Sequence, residues 1–241
     1  MTHLYLIRHA EAVGAVEKRI ADEGANTGLT PLGVSQAERL RDRLAATGEI
    51  RADVLIASTF TRAQQTAQII APALGDPLIL SDPEVSELRA GEADGLPYPE
   101  FHERYGRPDF DADPFRPIAP GGESWAAFQL RIAAALYRIT HEHAGKSVVI
   151  VCHGGVIDAS FLYFFGLGLS ARPQVGFYTH NTSITEWVER DGKRRRPWHL
   201  ARYNDDFHLR EGVQWTGVSA EPRTGADAPV VPLPTEERAE E

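Results

Sequence analysis

The sequence predicts an α/β domain built on a mostly parallel sheet, and three observations carry that expectation. Short apolar runs alternate with amphipathic segments of helical period, the pattern of strands joined by helical crossovers. The run "KSVVIVCH" at Lys146–His153 is almost wholly apolar, as a central strand covered on both faces must be. The 241 residues, 42% hydrophobic and 24% charged, suffice for a core that needs no covalent staples.

The elements follow in order. "HLYLI" (His3–Ile7) reads as a first buried strand, followed by a loop as far as Thr30. "TPLGVSQAERLRDRLAATG" reads as a helix with Thr30 as N-cap, Pro31 in its first turn and Gly48 as its stop. Ala37, Leu40 and Leu44 keep helical spacing along it. "ADVLIAS" is a second strand, and "TRAQQTAQIIAPALG" a helix with Ala63, Ala67, Ile70 and Leu74 on one face. "PLIL" (Pro77–Leu80) is a short third strand. Residues 82–122 are rich in Pro, Gly, Asp and Arg and read as a long excursion with one short helix near Pro99–Tyr105. A long helix follows in "ESWAAFQLRIAAALYRITHEH", with Trp125, Phe128, Ile132, Ala135 and Ile139 as its buried stripe. After the strand "KSVVIVCH", "GGVIDASFLYFFG" reads as a helix, and "TSITEWVER" and "RPWHLARYN" as a hairpin around "DGKRR". Residues 211–241 lack periodicity and are rich in Pro and Glu, so a disordered tail is expected there, behind one domain over residues 1–210.

Bulk properties narrow the partners. The formal net charge of −9 argues against nucleic acid or an anionic membrane surface. A small anionic substrate is still compatible, because a local cluster of Arg outweighs a distant acidic surface. Cys152 is the single cysteine, which leaves no internal disulfide and no cysteine-based metal site. The first strand starts too early for a signal peptide ahead of it, and the longest apolar run, Phe161–Leu169, is too short to span a bilayer. A reducing cytoplasm is the expected compartment. The oligomeric state is open, a homodimer among the options.

In an alternating α/β chain the active site forms at the C-terminal ends of the strands. Arg8 and His9 end the first strand. "STFTRAQQTA" follows the second and brings Ser58, Thr59 and Arg62 to the start of a helix. Glu87 follows the third, and His153 with Gly154 and Gly155 the fourth. Taken singly, each has an ordinary explanation: a surface ion pair for Arg8, a polar strand end for either histidine, a solvated loop carboxylate for Glu87. Together, two Arg, two His and one Glu converge from four segments, and phosphate chemistry accounts for that set. Arg holds phosphate oxygens in a bidentate fork. A helix N-terminus at Arg62 or Gly154 attracts anions. A neutral imidazole attacks phosphorus, a second stabilises the transferring group, and a carboxylic acid protonates the leaving oxygen.

The stretches "LIRHAEA", "STFTRAQQTA", "SELRAGEADG", "PGGES" and "VIVCHGGVI", in this order, resemble the histidine phosphatase superfamily, the phosphoglycerate-mutase-like proteins. The resemblance runs from Leu4 to about Tyr203. It implies a three-layer α/β/α sandwich with a mostly parallel central sheet and a single catalytic domain. It also implies that His9 is the nucleophile that forms a phosphohistidine. Arg8, Arg62 and His153 would bind the phosphoryl group with the backbone N–H of Gly154, and Glu87 would serve as general acid and then base. Neither metal nor cofactor is implied, and the partner is a small phosphorylated substrate. The chain departs from the family pattern at Ala10, where Gly is common. It departs again at Ala15, where many members carry Asn; Asn26 is the candidate replacement.

Rival chemistries fit less well. A cysteine phosphatase needs Arg six residues after its Cys, and that position holds Asp158. Cys152 and His153 also point to opposite faces of a strand, so Cys152 reads as a small buried hydrophobe. A metal hydrolase using His9, His153 and Glu87 would place two Arg against a cation, with no carboxylate cluster to hold it. His141 and His143 in "HEH" diverge on a helix end, where they complement its dipole. Within the family the choices are a phosphomonoester hydrolase, a mutase and a catalytically weak binding module. The intact catalytic set weighs against the last. A mutase must clamp a carboxylate with extra basic residues, and Arg89, Arg104, Arg107 and Arg116 lie among many acids and prolines. The hydrolase reading is favoured.

Overall fold

The computed structural model describes residues 1–167, 176–190 and 198–210. The first strand, β1 (Thr2–Arg8), sets the layers. Successive side chains leave a strand on opposite faces, so Leu4 and Leu6 enter one core while Tyr5 and Ile7 enter another. A short helix α1 (Val13–Val16) interrupts the stretch read as loop. Helix α2 (Pro31–Thr47) begins with the Thr30 side chain accepting from the Gly33 N–H and ends on left-handed Gly48, as the sequence predicts. Strand β2 (Val54–Ala57) leads into α3 (Thr61–Ile70), which is shorter than expected. Pro72 has no N–H to donate, and Ala71–Leu74 tighten into a 3-10 turn. Strand β3 is displaced towards the C-terminus, to Ile79–Ser81, beyond Pro77.

The excursion carries α4 (Tyr98–Tyr105), one residue longer than predicted, and 3-10 turns at Pro83–Val85 and Gly91–Ala93. It has a small core of its own, in which Phe101 and Ile118 pack with Ala90, Ala93 and Ala119. Helix α5 (Trp125–Glu142) buries Phe128, Ile132, Ala135 and Ile139, but Trp125 is only partly buried. That ring stacks on Phe110 of the excursion, centroids 5.4 Å apart, instead of filling the core. Strand β4 (Ser147–Cys152), helix α6 (Gly154–Phe165) and strands β5 (Ile184–Glu189) and β6 (Trp198–Asp205) follow, with a last 3-10 turn at Phe207–Leu209. The expected hairpin turn at Asp191–Arg195 and the tail from Glu211 lie outside the described residues.

The six strands form one mixed sheet in the order β3-β2-β4-β1-β5-β6. β1, β2, β3 and β4 run parallel, β5 runs antiparallel to β1, and β6, antiparallel to β5, points the same way as β1. One face is covered by α5 and α6, through Phe128, Ile132, Leu136 and Phe161. The other is covered by α2 and α3, through Leu40, Leu44 and Ile70. This is the three-layer α/β/α sandwich expected. Burying each of these large side chains contributes roughly 1.5–3 kcal/mol. Register positions the functional edge: Arg8 lies opposite Cys152, and Ala57 opposite Val151. Three strands thus end level, and the residues that follow them emerge together. Among the described residues no helix is long and apolar enough to cross a membrane.

Candidate active site

His9 emerges directly from β1, with its N–H on the Cys152 carbonyl at 2.9 Å. Its Nδ1 lies 2.7 Å from the Ala10 carbonyl oxygen. A carbonyl only accepts, so Nδ1 carries the proton and Nε2 keeps its lone pair. Arg62 Nε donates to that Nε2 at 3.2 Å. The ring is 7% exposed. Burial, helped by the Arg62 charge, pushes the His9 pKa well below the usual histidine value, against the pull of the Ala10 carbonyl. His9 is therefore a neutral imidazole with one oriented, unprotonated nitrogen.

The surroundings hold it there. Asn181 Nδ2 donates to the His9 carbonyl at 2.8 Å, and the Thr182 N–H to the Arg8 carbonyl at 2.9 Å. The Ala10 N–H donates to Thr66 Oγ1, whose hydroxyl donates to the Arg62 carbonyl in α3. Arg62 lies in the first turn of α3 and is 6% exposed, its Cζ 4.7 Å from the Phe60 ring centroid. Its Nη1 donates to the Ala21 carbonyl at 3.2 Å. Burial lowers the Arg62 pKa from its usual value, and Glu87 and Asp22 oppose that shift. Arg8 donates to the Thr179 carbonyl, while its buried Nε has no partner among the described residues.

His153 caps β4 and is fully buried behind His9 and Phe60, with ring centroids 5.0 Å and 5.1 Å away. Its Nε2 lies 2.8 Å from Ser58 Oγ, which in turn meets Ser86 Oγ at 3.0 Å, and its Nδ1 has no partner among the described residues. Burial first, then the positive charge of Arg62, pushes the His153 pKa well below the ordinary range. Gly154 opens α6 against the Arg8 guanidinium, 3.8 Å from Arg8 Nε to where a Cβ would stand. Glu87 Oε2 accepts from the Gly155 N–H, and Oε1 from the Leu88 N–H, each at 3.0 Å. A carboxylate docked on a helix N-terminus is favourably placed. The approach requires glycine: a Cβ on Gly155 would fall 2.2 Å from Glu87 Oε1.

The residues to which the sequence assigns the site, Arg8, His9, Arg62, Glu87, His153 and Gly154, meet at this edge. Arg8, His9, Arg62 and Glu87 line a cavity of about 380 Å³, and His153 and Gly154 back it. Its outer wall includes Ile20, Leu88, Phe110, Ile118 and Trp125. Asn26 does not replace the Asn absent at Ala15; its Oδ1 accepts from the Thr61 N–H at 2.7 Å and so caps α3. Sequence reasoning missed Asp22, Thr179 and Asn181. Asp22 lines the cavity, is 8% exposed, and accepts from the Ala90 N–H through Oδ2 at 2.6 Å. Burial pushes the Asp22 carboxyl up, against the backbone N–H groups of Ala90 and Glu23 nearby. Its one signal was its place in the loop that departs from the family pattern at Ala15. Among the described residues no group of three or more His, Cys, Asp or Glu is arranged to hold a metal.

Residues 4–206 match the family model of the histidine phosphatase superfamily (branch 1). The chain is 30% identical over 232 residues to phosphoglycerate mutase-like protein 4 of Arabidopsis thaliana, covering 92% of this chain and 94% of that protein. It is 30% identical over 214 residues to a metal-independent phosphoserine phosphatase of the same plant, covering 87% and 84%. A crystal structure of an Entamoeba histolytica phosphoserine phosphatase with 3-phosphoglyceric acid superposes with a TM-score of 0.69 at 25% identity, over 87% of this chain and all of that one. YhfR of Bacillus stearothermophilus superposes with a TM-score of 0.69 at 29% identity, with the same coverage.

Proposed function

The chain belongs to branch 1 of the histidine phosphatase superfamily, and from that premise we propose that it is a metal-independent phosphomonoester hydrolase acting through a phosphohistidine on a small phosphorylated metabolite. The observation that carries this reading is the His9 ring, with Nδ1 tied to the Ala10 carbonyl and Nε2 unprotonated beside Arg62. Attack of Nε2 on phosphorus forms the P–N bond as the P–O bond to the alcohol breaks. Glu87 delivers a proton to the departing oxygen. Water then attacks the phosphohistidine, Glu87 takes its proton, and the P–N bond breaks to return neutral His9 and inorganic phosphate. Arg8, Arg62, His153 Nδ1 and the Gly154 N–H hold the phosphoryl oxygens.

Hydrolysis is favoured over mutase chemistry by where the remaining cations lie. Arg89 pairs with Glu84, Arg104 pairs with Glu100, and Arg116 donates to the Tyr105 carbonyl. None of these, nor Arg107, lines the cavity; Arg19 does, and its guanidinium is held by Glu17 and the Gly95 carbonyl. The small phosphorylated compounds bound or hydrolysed by the relatives named above support the substrate size. The test is incubation with p-nitrophenyl phosphate and a panel of phosphorylated metabolites. Phosphate should be released in the presence of a chelator, and rapid quench should trap an acid-labile phosphoenzyme that His9→Ala lacks. Interconversion of 2- and 3-phosphoglycerate with little phosphate released would overturn the reading.

A further inference from the structure

The geometry points to Asp22 as the residue that selects the alcohol half of the substrate, by accepting a hydrogen bond from an ammonium or hydroxyl group close to the ester oxygen. The inference rests on the phosphatase reading above. Asp22 lines the same cavity as Arg8, His9, Arg62 and Glu87. Its Oδ2 is taken by the Ala90 N–H, and its Oδ1 is buried with no hydrogen-bond partner among the described residues. An unsatisfied buried acceptor in a native fold calls for an explanation, and in a cavity wall a donor on the ligand supplies one.

The carboxyl is not free to turn away. Asp94 accepts from the N–H groups of Asp22, Gly24 and Ala25. The Ile20 N–H bonds the Leu96 carbonyl, and the Gly95 N–H bonds the Ile20 carbonyl. Two segments thus zip together and fix Asp22 over the site. Charge points the same way. The phosphoryl group occupies Arg8 and Arg62, and the guanidinium of Arg19 is engaged by Glu17 and the Gly95 carbonyl. A substrate carboxylate beside Asp22 meets like charge, and the other cation in the cavity wall, Arg19, is already shared with Glu17 and the Gly95 carbonyl. The substrate class is therefore the phosphate monoesters of amino alcohols or polyols, in preference to those of short hydroxy acids.

The test compares kcat/KM for phosphoethanolamine, glycerol 1-phosphate, propyl phosphate and phosphoglycolate in the wild type and in Asp22→Asn. A hydrogen bond involving a charged group predicts that the wild type favours at least one of the two donor-bearing esters over propyl phosphate by roughly 10-fold or more. Preference for phosphoethanolamine alone identifies an ammonium, and equal preference for glycerol 1-phosphate identifies a neutral donor; both support the assignment. In Asp22→Asn the amide oxygen serves the Ala90 N–H and the amide N–H groups face the cavity. The preference should fall to about 1, with phosphoglycolate gaining on propyl phosphate. If that variant does not fold, Asp22→Ser carries the same comparison, since it keeps one oxygen for Ala90. A wild type that treats propyl phosphate and both donor esters alike overturns the assignment of Asp22 and leaves the phosphatase reading standing, as does a preference unchanged by substitution. Failure to release phosphate from any ester, p-nitrophenyl phosphate included, overturns the phosphatase reading itself.

Discussion

Replacing His208 with Gln should flatten the acid limb of the stability curve by about 3 kcal/mol. His208 is 1% exposed, and its Nε2 lies 2.7 Å from Thr182 Oγ1. The Thr182 hydroxyl donates to the Asn181 carbonyl, so Oγ1 accepts from Nε2–H, and the buried Nδ1 holds a lone pair with no partner among the described residues. Protonation would place a second N–H at Nδ1 with nothing to receive it. Burial, aided by Arg43 and opposed by Asp205, lowers the pKa from 6.5 to about 4. At 1.36 kcal/mol per unit, that separation is worth about 3 kcal/mol. Because the folded-state value is depressed, the unfolded chain binds the proton first as pH falls. The contribution is complete above about pH 6.5 and is lost progressively towards pH 4. The assay is urea unfolding of both proteins at about pH 7.5, 5.5 and 4.5. The variant is expected to be less stable at neutral pH, because a bond to Thr182 is weakened, and the gap should close on acidification. Parallel acid limbs for the two proteins would refute the reasoning.

Two further outcomes concern the proposed acid. Glu87→Gln should cost about 10²–10⁴-fold in kcat/KM on alkyl phosphates and far less on p-nitrophenyl phosphate, whose leaving oxide needs no proton; equal losses on both would send the search for the acid to Glu84, Glu92 or Asp94. Gly155→Ala, by forcing the Glu87 carboxylate off the α6 N-terminus, should reproduce that substrate-dependent loss and also destabilise the fold by about 1–3 kcal/mol in denaturant titration.

The site was legible where it depends on strand ends. Arg8, His9, Arg62, Glu87 and His153 each follow a recognisable apolar run, and parallel order alone brings such positions to one edge. What surrounds them was not legible. Asp22, Thr179 and Asn181 sit in segments without period, placed by hydrogen bonds to residues far along the chain, such as Asp22 to Ala90 and Asn181 to His9. Asn26 was misread for the same reason: nothing local shows that its carbonyl caps α3. In the fold, helix caps and turn residues marked α2 and α6 closely, whereas Pro72 and Pro77 shifted the neighbouring boundaries. Trp125 kept helical spacing with the core stripe, yet the excursion, with its own small core, supplied Phe110 as a competing partner.

The pairing of β1 with β4 has a consequence for synthesis. The strand bearing His9 is translated well ahead of its parallel neighbour Ser147–Cys152, which comes about 140 residues later. At ordinary ribosomal speed that interval is on the order of ten seconds. Through it Leu4, Leu6 and Ile7 have neither β4 nor β5 to lie against. The proposed nucleophile is thus translated long before it acquires its neighbours on β4 and Asn181. A ribosome stalled before β4 therefore holds a sticky, inactive N-terminal segment, and chaperone occupancy on the nascent chain should persist until β4 clears the exit tunnel.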